Sequence, residues 1–273
     1  MNAIVEETNE VSRRDWLKRA GIAGASLTAL GAMAGCGGTS AGSVGSAASS
    51  TDQNILNAAA TAEALATTMY YNIITTSGGI YKSGLTGNAP DQAYLVAGFE
   101  EELNHYNFLV SAGAKPLATT FNFPTNMFVD PQTTVNTLIT LEDAFIAAYL
   151  IGVRDFSTNA LKVIAGQIMG IEAEHRALGR VIANDLNLTA VTGLSGMAES
   201  VVAPTGTANN LAYERTFSAA LPNIGAVVTA LGPFVTAGHA GYSPTAFPFA
   251  TASAAAPSAG QPTVTLANTT PSG

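Results

Sequence analysis

The chain has 273 residues, of which 47% are apolar and 11% are charged, and its net charge is −8. That length suits one domain of ordinary size with appendages, or two small domains. Eleven basic residues against nineteen acidic ones leave no basic surface that could follow a phosphate backbone, so the composition argues against nucleic acid as a partner.

The first 36 residues have the features of an export signal. Ser12-Arg13-Arg14-Asp15-Trp16-Leu17-Lys18 precede an uncharged stretch rich in Ala and Gly, Ala20–Ala34. This stretch is shorter than the roughly 20 residues that a membrane-spanning helix needs. Paired arginines, an aromatic residue two positions on, then Leu and Lys, resemble the twin-arginine signal of prokaryotes, which exports folded proteins. We therefore expect a periplasmic or extracellular protein.

The single cysteine, Cys36, leaves two cleavage sites open. Met33-Ala34-Gly35-Cys36 resembles a lipoprotein cleavage box, which would place a lipid anchor on Cys36, although Met stands where a branched residue is usual. Ala32-Met33-Ala34 equally suits an ordinary signal peptidase. With at most this one cysteine, the exported chain forms no intramolecular disulfide.

Composition divides the remainder of the chain. Residues 37–51 are rich in Gly, Ser and Ala and predict a flexible linker, while the uncharged Ala, Pro, Ser and Thr of 251–273 predict a disordered tail. Between them we expect a helical domain over 52–185 and a C-terminal extension over 186–250, with a short helix around Pro222 to Phe234.

The helical domain contains four segments whose apolar residues recur alternately every three and four positions, as in helices that pack on one another. These segments are Leu56–Ile73, Leu95–Ala112, Val135–Phe156 and Leu161–Ile182. About 20 residues carrying Pro116, Pro124 and Pro131 separate the second segment from the third. Fully extended, they reach about 66–72 Å. The sequence therefore predicts an all-α four-helix bundle with a long crossover between its second and third helices.

Each apolar helix face carries one glutamate near its middle: Glu63, Glu102, Glu142 and Glu172. The first two lie symmetrically about position 82.5, in the first loop, and the last two about position 157, in the final turn. Residues equidistant from the turn of an antiparallel hairpin lie at one level. We therefore expect each hairpin to bring its two carboxylates together inside the bundle.

Two of the chain's three histidines follow a glutamate by three positions, in Glu102-Leu103-Asn104-His105 and Glu172-Ala173-Glu174-His175. This spacing places both side chains on one face of a helix. Burying four carboxylates without compensation costs several kcal/mol per ion, and no basic residue is expected at their level on an apolar face. Two divalent cations would neutralise the four charges, with the imidazoles as further ligands.

A Glu, a Glu-x-x-His, another Glu and a second Glu-x-x-His on four successive helices resemble the dimetal carboxylate site of ferritin-like proteins. The resemblance covers 52–185. It implies that Glu102 and Glu172 bridge two ions, that Glu63 and His105 complete one site, and that Glu142 and His175 complete the other. The oxygen-rich ligand set favours iron or manganese over zinc.

The leader, the segment Asn210–Arg215 and the short helix near Pro222 further resemble an exported bacterial branch of that family, related to plant desiccation-related proteins. The dimetal site suggests the first two of three candidate functions, and the desiccation-related relatives suggest the third. These are redox chemistry on peroxide or dioxygen, oxidation of ferrous iron, and a non-enzymatic role as a metal-stabilised stress or desiccation-protection protein.

Further polar residues flank the expected site. Glu100, Glu101, Asp143 and Glu174 are expected to face solvent, with Glu101 or Glu174 available as an acceptor for an imidazole N–H. Tyr70 and Tyr149 each follow a site glutamate by seven residues, and we expect them to pack in the core with a hydrogen-bonded hydroxyl. His239, in a Gly-rich segment, is expected to be exposed.

Overall fold

Four long helices make up the bundle in the computed structural model, which describes residues 49–194, 198–200 and 221–249. They are α1 (Ser50–Thr75), α2 (Ala89–Ser111), α3 (Pro131–Asp155) and α4 (Asn159–Asp185). The predicted all-α bundle is therefore confirmed. The expected signal, Cys36, the segment Asn210–Arg215 and the tail 251–273 lie outside the described residues. Helix α1 begins at Ser50, inside the range 37–51 that was expected to be a linker.

Each long helix is preceded by an N-cap residue whose side chain accepts a hydrogen bond from a backbone N–H of the first turn. These residues are Ser49, Asn88, Asp130 and Thr158. Prolines in the first turn of α2 and α3 fit the same position, because the N–H that proline lacks has no partner inside the helix there. The sequence thus fixes where each helix starts.

Helices α1 and α3 run antiparallel, as two hydrogen bonds between them demonstrate. Tyr149 on α3 donates to Glu63 on α1, and seven residues further along α1 Tyr70 donates to Glu142, seven residues back along α3. Since α1 and α2 form an antiparallel hairpin, α2 and α3 point the same way. The connection between them must therefore cross the length of the bundle, as the sequence predicted.

The crossover follows α1 from its second turn to its end. Lys115 N donates to Asn57 Oδ1 at 2.7 Å, and Leu117 N donates to Thr61 Oγ1 at 2.9 Å. At the far end, a Cβ on Gly79 would lie 2.5 Å from the Phe128 carbonyl oxygen, so only glycine allows this approach. Side chains of α1 therefore fix the path of the crossover.

Short strands, which the sequence analysis did not predict, tie the extension to the crossover. Strand β1 (Thr120–Pro124) of the crossover pairs antiparallel with β4 (Tyr242–Ala246), and β2 (Ala190–Thr192) pairs with β3 (Ala198–Ser200). The expected short helix is divided into α5 (Ile224–Ala230) and α6 (Gly232–Val235). The sequence analysis did not predict these strands because β1 and β4 are too short to show a clear alternation of apolar and polar residues. They also pair across more than 100 residues of the chain.

Two clusters of buried apolar side chains lie along the bundle, and the four glutamates lie where they meet. The smaller cluster includes Leu56, Leu109 and Phe156, near the turn between α3 and α4. The larger one fills the other end and extends to the strands. Among the described residues, α3 alone is long and apolar enough for a membrane span, but 83% of its most apolar window is buried inside the protein. Helix α3 is therefore the central helix of the protein's apolar core.

Candidate metal centre

The bundle brings together all six residues that the sequence analysis proposed as metal ligands. Glu102, Glu142 and Glu172 are 0% exposed, Glu63 is 2% exposed, and His175 is 3% exposed. The side chain of His105 is the most accessible of the six, at 15%. The six residues, called the six-residue cluster below, comprise Glu63, Glu102, His105, Glu142, Glu172 and His175.

The first half of this cluster surrounds His105. Its Nδ1 lies 3.4 Å from Glu63 Oε2, 3.8 Å from Glu102 Oε2 and 3.5 Å from Glu172 Oε1. One atom from each of these four residues lies within 4.8 Å of the others, which is close enough for all four to contact a single ion. Carboxylate oxygens with one imidazole nitrogen suit iron or manganese.

The second half surrounds His175. Its Nδ1 lies 2.8 Å from Glu102 Oε1, 3.3 Å from Glu172 Oε2 and 4.0 Å from Glu142 Oε2. These four residues again offer ligand atoms within 4.8 Å of one another. Glu102 and Glu172 belong to both halves, and each turns one oxygen toward His105 and the other toward His175. Both carboxylates therefore lie between the two histidines.

Two buried tyrosines orient the carboxylates that belong to only one half. Tyr70 donates to Glu142 Oε1 at 2.7 Å, and Tyr149 donates to Glu63 Oε1. In both glutamates the other oxygen, Oε2, is the one near a histidine Nδ1. Each tyrosine therefore occupies the outer oxygen and leaves one oxygen facing the cluster. The hydrogen-bonded core tyrosines expected from the sequence are present.

Several buried polar atoms of the cluster make no well-directed hydrogen bond with the described residues, although histidine nitrogens lie close to them. They are Glu63 Oε2, both oxygens of Glu102, His105 Nδ1, Glu142 Oε2 and Glu172 Oε1. Buried polar atoms are almost always satisfied in folded proteins, so a group of them at one place needs an explanation. These atoms face the centre of the cluster, and a pair of cations there would satisfy them. The residues present thus fit a dimetal centre.

Without ions, protons take over part of the charge compensation. Burial raises the pKa of Glu63 and Glu142 well above the ordinary value, and the neighbouring charge of Glu102 adds to the effect. Burial alone would lower the pKa of His105 and His175. The surrounding carboxylates outweigh burial and raise both pKa values well above that of an ordinary histidine. Burial would raise the pKa of Glu102, whereas the two histidines hold it below the usual range. The metal-free cluster therefore stores protons that bound cations would displace.

Glu101 contacts the cluster from outside. Its Oε2 lies 2.9 Å from His175 Nε2, and its side chain is 46% exposed. Because an ionised carboxylate only accepts hydrogen bonds, Nε2 carries the proton and Nδ1 faces the cluster. Of the two acceptors that the sequence left open, Glu101 makes the contact, while Glu174 is exposed. Glu100 and His239 are exposed, as expected.

The expectation that Asp143 faces solvent was wrong. Asp143 is 2% exposed, forms an ion pair with Arg176 of α4, and accepts a hydrogen bond from Leu194 N at 2.9 Å. Sequence reasoning missed the pair because its members lie 33 positions apart on different helices. One signal was available: Asp143 and Arg176 each follow directly after a predicted ligand, Glu142 and His175 respectively.

Comparison with known proteins finds one family model that matches part of the chain. Residues 51–185, just under half of the chain, match the family model described as a ferritin-like domain. The matched range begins in the first turn of α1, ends at the last residue of α4, and contains all six residues of the cluster. No curated protein and no solved structure gives a significant match.

Proposed function

We propose that residues 51–185, which match the family model of a ferritin-like domain, bind two iron or manganese ions and use them in redox chemistry on peroxide or dioxygen. Glu63 and His105 would hold one ion, Glu142 and His175 the other, and Glu102 and Glu172 would bridge them. The two overlapping groups of ligand atoms support this arrangement.

The observation that carries the proposal is the set of unpartnered atoms inside the core. Five carboxylate oxygens and one imidazole nitrogen face a common space without a well-directed hydrogen bond to the described residues. Leaving such groups unsatisfied costs about 1–3 kcal/mol each, more when charged. This cost is large against a whole-domain stability of about 5–15 kcal/mol, and bound cations would offset it.

The protein's own residues prepare the site for a small oxidant. The tyrosines hold the outer oxygens of Glu63 and Glu142, so that each glutamate offers one oxygen to an ion. Apolar side chains on both sides exclude bulk water from the cluster. Bound iron or manganese would supply reversible one-electron oxidation and a coordination position for a small oxidant.

Metal content and oxidant consumption, measured together, test this proposal. We expect protein purified from its native compartment to carry two iron or manganese ions per chain, and the loaded protein to consume peroxide or dioxygen while its ions change oxidation state. A Glu102→Gln variant should lose both properties, whereas Glu100→Gln, an exposed change of the same kind, should keep them. Ferrous iron released as ferric product would indicate iron oxidation instead.

Bound ions that do not react with either oxidant would contradict the redox proposal. That result would favour the non-enzymatic alternative, a metal-stabilised stress or desiccation-protection protein of the exported bacterial branch. Protein without any metal would contradict both.

We also propose that the chain is exported through the twin-arginine route, on the evidence of Arg13 and Arg14 followed by a short, weakly apolar stretch. This route carries folded proteins, so the cluster could be loaded before export. Replacing both arginines by lysine should leave the precursor in the cytoplasm, and unchanged export would contradict the proposal. The mass of the mature N-terminus distinguishes a lipid on Cys36 from cleavage after Ala34.

A further inference from the structure

We infer that the two metal positions are unequal: the His175 position holds its ion tightly through Glu101, whereas the His105 position is the exchangeable one. The inference rests on the proposed function, because it concerns the ions proposed there. It assigns Glu101 as a positioning residue that acts through His175 and identifies the position at which an incoming ion or small oxidant would be exchanged.

Contacts with Glu101, Tyr70 and the backbone of α2 hold the ring of His175. Its ring nitrogen Nε2 lies 2.9 Å from Glu101 Oε2, and its side chain is 4% exposed. The ring of Tyr70 lies 5.5 Å away, centroid to centroid. A Cβ at Gly98 would lie 3.2 Å from the Tyr70 ring and 3.6 Å from His175 Nε2, so the missing side chain lets both rings approach α2. The ring is therefore held with Nδ1 aimed at the cluster.

His105 lacks this support. Its side chain is 15% exposed, and its contacts with the described carboxylates are all made by Nδ1, none by Nε2. The internal symmetry of the bundle makes the difference plain, because it relates Glu102 to Glu172 and His105 to His175. The residue that corresponds to Glu101 is then Ile171, whose side chain cannot accept a hydrogen bond from the imidazole.

The carboxylate partner of His175 should strengthen metal binding at that position. A carboxylate that accepts the outer N–H of a ligating histidine fixes the ring and makes its other nitrogen a stronger donor, and losing such a partner costs about 10–100-fold in affinity. His175 has the carboxylate and is closed to water. His105 has neither feature, so its ion should bind more weakly and leave first.

Stepwise loading of the metal-free protein with Mn²⁺, with free Mn²⁺ counted by electron paramagnetic resonance, tests the inference. We expect two steps in the wild type. Glu101→Leu should weaken the tighter step about 10–100-fold and leave the other in place. Glu101→Gln keeps an acceptor without the charge and should give a smaller loss. The matched control is Glu174→Gln, which removes the same charge from the exposed residue next to His175 and should change neither step.

A second measurement separates positioning from a general loss of structure. In the Co²⁺-loaded protein, the N–H proton of a ligating imidazole gives a strongly shifted resonance that disappears when it exchanges with water. The His175 resonance should persist in the wild type and exchange rapidly in Glu101→Leu, while the helical content of that variant stays unchanged.

The outcomes distinguish this inference from the proposed function. Absence of Mn²⁺ binding by the wild type would overturn the proposed function and the inference with it. Two steps of equal affinity, or equal weakening of both steps by Glu101→Leu, would overturn the inference alone. Survival of the tight step in His175→Ala, with its loss in His105→Ala, would also overturn it.

Discussion

Raising the pH should destabilise the protein when its metal has been removed. In the folded metal-free chain, burial and neighbouring charge raise the pKa of Glu63 and Glu142 well above the ordinary 4.5, and carboxylates raise the pKa of His105 and His175 above 6.5. At pH 6 to 8 the unfolded chain has released these carboxyl protons, and above 6.5 most of its histidine protons. The folded state therefore binds more protons, and its stability falls as pH rises.

The magnitude follows from the number of protons retained. Each group that keeps its proton only in the folded state lowers the free energy of unfolding by about 1.4 kcal/mol per pH unit. For as long as the two glutamates keep theirs, the slope is about 3 kcal/mol per unit, and the two histidines add a comparable amount above pH 6.5. Glu102 has its pKa lowered and acts with the opposite sign, but only below about 4.5. Against a total stability of about 5–15 kcal/mol, two pH units decide whether the metal-free protein stays folded.

Urea unfolding followed by circular dichroism at pH 6, 7 and 8 measures this slope. Glu63→Gln, which removes one of the titrating groups, should reduce it by about 1.4 kcal/mol per pH unit. In the presence of Mn²⁺ the fall should disappear or reverse, because metal binding displaces the protons and strengthens as pH rises. Stability of the metal-free protein that stays level or increases from pH 6 to 8 would refute the reasoning.

Five further substitutions test three separate parts of the structure. Glu102→Ala should lose both ions and His105→Ala mainly one, as counted by elemental analysis; a normal complement in Glu102→Ala would contradict bridging. Tyr70→Phe removes the hydroxyl that donates to a buried glutamate and should lower the free energy of unfolding in urea by about 1–3 kcal/mol. An unchanged free energy would contradict the contact. Gly179→Ala places a Cβ 2.8 and 2.9 Å from two side chains of α3 and should cost about 1–3 kcal/mol. Gly170→Ala, with nothing within 4 Å, should be neutral or stabilising; equal effects of the two changes would show that close packing is not the cause.

The bundle and the membership of the six-residue cluster could be predicted because they depend on periodicity. A glutamate in the middle of an apolar face must be buried if the face is, and residues equidistant from a hairpin turn must meet. That arithmetic brings Glu63 level with Glu102 and Glu142 level with Glu172. The proline-bearing linker between α2 and α3 was long enough for the crossover, and the antiparallel contact of α1 with α3 requires it.

The remaining features could not be predicted because they depend on pairings between distant parts of the chain. The burial of Asp143 depends on Arg176, which reaches it from another helix. Strand β1 of the crossover forms because β4, in the C-terminal extension, pairs with it. The choice between Glu101 and Glu174 as the partner of an imidazole depends on how the α2 and α4 faces meet, which periodicity alone leaves open.

The most direct test of the dimetal centre is anomalous diffraction from crystals of the protein loaded with manganese or iron. We expect two anomalous peaks per chain, both inside the bundle, each next to one of His105 and His175, with Glu102 and Glu172 contacting both. A single peak, two peaks that do not share these glutamates, or an empty core with ions bound only at the surface would contradict it.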